Sequence, residues 1–185
     1  GGGRGGGPGK EYSYGGAGKG ETPTGKGQFT GEAGEKAGLS PGPVGVDPQT
    51  KPAGGNQFRV IGGKQASHTH TQTANIEPLM EITKKYNLER VWMNADTAAR
   101  RGIADGDEVE VSNGQHTGRV RVKVTQRINP TALYMPSHYG CSSPDQHTAY
   151  EVGLRQMDYV PFRMEPGYGS ACTQETVVNV KKAGA

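Results

Sequence analysis

Six consecutive side chains able to donate or accept hydrogen bonds, His68, Thr69, His70, Thr71, Gln72 and Thr73, are followed two residues later by Asn75. None is acidic, so the run suits holding a ligand rich in donors and acceptors better than general acid–base work. Just upstream, Gly62 and Gly63 allow a backbone to approach a ligand closely. Lys64 can neutralise an anion there. His68 and His70 lie two apart and would share one side of an extended segment, a spacing that also suits a metal, although no third ligand stands nearby. Cys141 and Cys172 are too far apart for a zinc or iron–sulfur set, which leaves a disulfide or two free thiols. Gly18-Lys19-Gly20 and Gly25-Lys26-Gly27 lack the Ser or Thr that must follow a phosphate-loop lysine, and that reading fails.

These groups need elements to position them. Phe58-Arg59-Val60-Ile61 is a β-prone run closed by Gly62-Gly63, which places Lys64 and the polar stretch on a loop after a strand. Pro78, Leu79, Met80 and Ile82 then predict a short helix within 75–86, whose N-terminus would face an anion. Val91-Trp92-Met93 reads as a buried strand, followed at Thr97–Arg101 by a two-turn helix ended by Gly102. Glu108–Ser112 alternates, Asn113-Gly114 signals a hairpin, and Gly118–Val124 puts valines on one face and bases on the other. Leu133–Pro136 and Thr176–Val180 supply two more strands. The expectation is a β-barrel or sandwich of short strands.

Ahead of it the texture differs. Of the 185 residues, 1–55 hold about half as Gly, Pro or Ser, with Tyr12, Tyr14 and Phe29 as the only aromatics. Such a stretch cannot bury enough apolar surface to offset its ordering entropy. Residues 1–55 are therefore expected to be irregular and 56–185 to fold. The net charge is +3, with basic and acidic residues nearly balanced in 1–55, so the tail is no polycationic arm. A single Gly3-Arg4-Gly5-Gly6 lacks the repeats of arginine–glycine RNA-binding segments. No apolar run is long enough to cross a bilayer and no leader pattern opens the chain. The chain opens on Gly1 rather than Met, and a processed product or a piece of a longer protein is expected.

The order strand, polar loop, helix, and then residues 93–111 (MNADTAARRGIADGDEVEV), resembles the C-terminal dinucleotide-binding domain of the dimethyl sulfoxide reductase family of molybdenum oxidoreductases, over about 57–182. Gly62-Gly63-Lys64 with 68–75 resembles that family's first cofactor loop, and Met135–Gly140 its later loop near the pterin. The loops are most similar to those of the thiosulfate, polysulfide, tetrathionate and arsenate reductases. The resemblance implies a double-psi β-barrel of the aspartate decarboxylase-like class, holding molybdopterin guanine dinucleotide with molybdenum or tungsten. It implies cofactor contacts from Gly63, Lys64, His68, Thr69, His70, Thr71, Gln72, Thr73 and Asn75, and from His138, Tyr139 and Gly140. Asn94 and Asp96 would reach guanine or its ribose, or else cap the helix that follows. His138 would contact the cofactor or be a satisfied loop histidine. After Gly153-Leu154 an asparagine-containing turn is expected, and Gln156 or Asp158 stands in its place; Thr173 and Gln174 are placed to reach the pterin.

The family's metal-ligating side chain and its iron–sulfur cysteines belong to another domain, absent from this sequence. The resemblance thus implies a larger molybdenum-binding catalytic chain or domain as partner, with an iron–sulfur electron-transfer subunit and a membrane anchor subunit. It implies a respiratory reductase of a sulfur compound or oxyanion, on the periplasmic or cell-surface side of the membrane, and no redox activity from this chain alone. The rival class is a free-standing β-barrel binding module using Arg119, Arg121, Lys123 and Arg127. Residues 119–127 contain no aromatic to stack on RNA, and no nucleic-acid partner is expected.

Overall fold

The computed structural model describes residues 31–36, 38–42, 47–48, 50–164 and 169–184. Two compact units divide the chain, Gly1–Val46 and Asp47–Ala185. The expectation of an irregular tail falls mostly outside the described residues. Within the first unit it is corrected by a five-residue helix, α1, Glu32–Lys36. Glu, Ala and Lys favour the helix, and Gly38, at φ 77, ends it in the left-handed conformation.

In the second unit six strands close a barrel: β1 (Gln57–Gly63), β2 (Val91–Asn94), β3 (Glu108–Ser112), β4 (Thr117–Thr125), β5 (Ala132–Pro136) and β6 (Val177–Lys182). Their order around it is β1-β5-β2-β4-β3-β6, with β6 returning to β1. β1 with β5 and β2 with β4 run parallel, while the other neighbours are antiparallel. This closed mixed barrel is the double-psi arrangement that the resemblance implies.

Period-two alternation fills its interior. Phe58, Val60, Val91, Met93, Val109, Val111, Val120, Val122, Leu133, Met135, Val178 and Val180 all point inward and are buried. Leu154 and Tyr159 join this core from a later loop. Gly118 makes room for them, because a Cβ there would lie 2.5 Å from the Tyr159 hydroxyl and 2.8 Å from Leu154. Closure leaves no free edge among these strands.

Two helices flank the barrel, α2 (Glu77–Tyr86) and α3 (Ala95–Arg100). Asn94 caps α3, its Oδ1 accepting from the amides of Asp96 (3.0 Å) and Thr97 (3.3 Å). The β3–β4 hairpin spans 113–116, where the Asn113 side chain accepts from the amides of Gln115 and His116 and Gly114 takes φ 89.

On the outer face Ile61, Tyr134, Trp92 and Lys123 are register partners across four adjacent strands. The Lys123 ammonium sits 4.9 Å from the Trp92 ring centre. The strand holding the bases does lack aromatics, but the neighbouring strand supplies one, which counting along one segment misses. Of the nearby bases, Arg119 and Lys181 pair with Glu110, and Lys182 with Asp107.

Leu133 is fully buried whereas Ile61 is 41% exposed. In urea denaturation Leu133→Ala is expected to cost about 2–5 kcal/mol and Ile61→Ala under about 1 kcal/mol. Equal losses at the two positions would contradict the inside–outside assignment.

Candidate functional site

The parallel strands β1 and β5 end side by side, Gly63 opposite Pro136, and the Ser137 amide continues the ladder by donating to the Gly63 carbonyl at 2.8 Å. The loops leaving both strands therefore start at one place. Segments 155–157 and 173–174 close the other sides, giving a cleft of about 600 Å3.

Close packing at its floor requires glycine at 140, where a Cβ would fall 2.2 Å from the Arg155 backbone nitrogen. A Cβ on Gly62 would meet the end of the Gln156 side chain, at 1.9 Å from its amide nitrogen, and displace it. Gly140 also adopts φ 74, in the left-handed region. Gln156 is fixed in turn, its Oε1 accepting from the Ser137 hydroxyl at 2.5 Å.

The lining is cationic and neutral. Lys64 and Arg155 supply charge; Thr71, Ser137, His138, Ser142, Ser143, Gln146, Gln156, Thr173 and Gln174 supply hydrogen-bonding groups. No Asp or Glu lines the cleft among the described residues. Such a donor set fits a ligand that carries negative charge and many acceptors. His138 is held at φ 74, a costly conformation for a non-glycine residue. Burial, and then the positive charges of His70 and Lys64, lower its pKa and favour the neutral ring.

Of the residues the sequence singled out, Gly63, Lys64, Thr71, His138, Tyr139, Gly140, Thr173 and Gln174 line the cleft. His70 stands at its margin, 5.9 Å from the His138 ring, and the Thr73 hydroxyl donates to the His70 carbonyl. Thr69, Gln72 and Asn75 are exposed and outside the lining. The end of the polar loop expected over 68–75 winds into a 3-10 turn, Thr71–Asn75. Ahead of it His68 is buried and His70 exposed, so the two do not share a side. The N-terminus of α2 does not face the cleft either: Glu77 occupies its first turn.

His68 is wholly buried, so it supports the loop from beneath instead of presenting its ring to a ligand. Its Nε2 is hydrogen-bonded to Thr83 Oγ1 at 2.5 Å, and that hydroxyl to the Tyr139 hydroxyl at 3.1 Å. Burial pushes the Tyr139 phenol up to about 12, keeping it neutral. Asn94 is likewise committed. Besides capping α3, its amide donates to Gln126 Oε1 and the Ile128 carbonyl, and it is 4% exposed. No group is left over for guanine, so the capping alternative is the one realised. Asp96 accepts from Gln126, outside the lining. Asp158 turns away to Arg155 and His116, and Gln156 enters the cleft instead.

Sequence reasoning missed Cys141, Ser142, Ser143, Gln146, Arg155 and Met157 as lining. The Ser142-Ser143-Pro144 turn and an arginine just beyond Gly153-Leu154 were the signals available. Both cysteines are free thiols.

Burial lowers the His68 pKa in the folded state. Below about pH 6.5 the unfolded chain takes up a proton that the folded chain refuses, so stability is full above that value and falls as pH drops. His138 acts in the same sense. Asp107 and Glu110, held low by Lys182 and Lys181, lose their contribution only in the carboxylate range. Denaturation midpoints are expected to fall from pH 7.5 to 5, with a shallower slope in His68→Gln. A flat profile in the parent protein would contradict the buried neutral imidazole.

The family model for the molydopterin (molybdopterin) dinucleotide binding domain matches residues 58–160. The chain is 27% identical over 115 residues to the thiosulfate reductase molybdopterin-containing subunit PhsA of Salmonella typhimurium, covering 62% of this chain and 15% of that one. It is 40% identical over 75 residues to the putative dimethyl sulfoxide reductase chain YnfE of Escherichia coli, covering 40% of this chain and 8% of that one. Acetylene hydratase from Pelobacter acetylenicus superposes with a TM-score of 0.64 at 15% identity, over 88% of this chain and 24% of that one, and shows the fold. The chain thus spans under a quarter of the length of each of these proteins. A closed mixed barrel, a cationic cleft lined by no carboxylate among the described residues and a match across 58–160 agree: the chain belongs to the molybdopterin dinucleotide-binding domain family, as found in the dimethyl sulfoxide reductase family of oxidoreductases.

Proposed function

We propose that the cleft between the ends of β1 and β5 seats a molybdopterin guanine dinucleotide and completes the active site of a larger molybdenum or tungsten oxidoreductase. The observation that carries this reading is the lining: two cations, a ring of neutral donors and no carboxylate among the described residues. Lys64 and Arg155 would hold the pyrophosphate. Gln156, Thr173, Gln174, Ser137 and the neutral His138 would meet pterin donors and acceptors. Bound there, the cofactor supplies the metal and its electron chemistry, while this chain orients it and excludes water.

The remaining parts follow the family resemblance. A larger catalytic chain or domain provides the metal ligand, an iron–sulfur subunit relays electrons and a membrane subunit anchors the assembly. The substrate is a small sulfur compound or oxyanion, consistent with a thiosulfate reductase subunit among the relatives. Residues 1–55 connect to or wrap that catalytic part, and the enzyme works on the periplasmic or cell-surface side.

The test is metal and mass-spectrometric analysis of the native complex recovered through this chain. Molybdenum or tungsten, guanine nucleotide after acid hydrolysis and a large cysteine-bearing partner are expected. In the same complex, Arg155→Ala should lower the nucleotide retained per chain about tenfold, the worth of one charged hydrogen bond. A metal-free, nucleotide-free chain recovered alone or with RNA would overturn the reading.

A further inference from the structure

One wall of the cleft, Thr173 and Gln174, belongs to a single 3-10 turn, Thr173–Glu175, too short to hold its own shape. What fixes it lies outside the cleft. Arg163 Nη1 donates to the Glu175 carboxylate at 2.7 Å and also to the Thr50 hydroxyl at 3.1 Å. Arg59, on β1, donates through Nη2 to the Thr50 carbonyl at 2.7 Å and through Nη1 to the Gln174 carbonyl at 3.4 Å. Both polar atoms of Thr50 that can accept are thus taken by guanidinium groups that also grip the cleft wall.

Thr50 belongs to the segment by which the chain enters the barrel. Further along that segment Arg101 donates to the Gly55 carbonyl and lies over the Phe58 ring, 4.3 Å from its centre. Neither Arg59 nor Arg163 lines the cleft, and neither does Thr50. Two planar forks with fixed donor directions bridge the entering segment and the wall, a task that a flexible ammonium performs less well.

We propose that Arg59 and Arg163, meeting at Thr50, are positioning residues that couple the entering segment to the cleft wall and so set Thr173 and Gln174 for the ligand. The ligand half of this inference rests on the proposed seat for the dinucleotide; the coupling itself does not. Displacing the entering segment therefore loosens one side of the cleft without touching any group that lines it.

The coupling is tested by hydrogen exchange on the full chain, comparing Thr50→Val, Arg163→Gln and Arg163→Lys with the parent. Thr50→Val is nearly isosteric and removes only the hydroxyl that Arg163 holds. Amides of Thr173 and Glu175, bonded to the Ala171 and Cys172 carbonyls, should exchange about tenfold faster in Thr50→Val and Arg163→Gln, the equivalent of one charge-assisted hydrogen bond. Arg163→Lys should restore part of the protection, and β3 and β4 amides should be unchanged. Unchanged exchange across 172–176, or loosening spread evenly over the barrel, would overturn the coupling.

The ligand arm is guanine nucleotide retained per chain in the native complex carrying Thr50→Val. Reduced retention with a loosened wall supports the whole inference, and full retention with a loosened wall overturns the positioning role. A loosened wall in a complex whose parent form holds no guanine nucleotide supports the coupling and overturns the proposed seat.

Discussion

The approach of the 154–155 backbone to Gly140 is the constraint on which the site depends. A Cβ on Gly140 would lie 2.2 Å from the Arg155 nitrogen, and the Gln156 side chain fills the space over Gly62, 1.9 Å from where a Cβ would stand. The Gly140 contact brings Arg155 to the rim of the cleft, where its side chain stays exposed, and Gln156 reaches over the end of β1. Ser137 then locks Gln156 in place. A barrel closed by parallel pairing places the loops of two strands at one end, and small residues at the contact convert that placement into a walled cleft.

Beneath the cleft lies a second, smaller core of Ala74, Met80, Tyr139 and Ala149, sealed by the chain of hydrogen bonds from His68 through Thr83 to Tyr139. Buried polar groups of this kind stabilise only when each finds a partner. The cluster ties the loop after β1, helix α2 and the loop after β5 together. It therefore carries the geometry of Thr71 and His138, and only Tyr139 of the cluster reaches the cleft lining.

The barrel was legible because period-two alternation and turn chemistry both act locally: valines at 109, 111, 120 and 122 and the Asn113-Gly114 turn state their own placement. The site was legible only in part. Gly63, Lys64, Thr71 and His138 could be found along the chain, since they follow directly from strand ends. His68 and Asn94 could not be sorted from ligand-facing groups, because a buried imidazole and a capping amide have the same residue types as a binding loop. What separates them is tertiary: Thr83 lies 15 residues from His68, and Ile128 lies 34 from Asn94. The contacts of Arg163 with Thr50 and of Arg59 with Gln174 reach across more than a hundred positions, for which one sequence carries no periodic signal.

In the proposed seat the cleft's two cations and neutral rim face the phosphate bridge of a dinucleotide. The most direct measurement is the density at this chain in an experimental structure of the native complex. A pyrophosphate is expected there with oxygens within about 3.5 Å of the Lys64 ammonium and the Arg155 guanidinium, and a fused ring system beside Gln156. A dinucleotide bound elsewhere on the assembly, with this cleft filled by protein side chains, would contradict it.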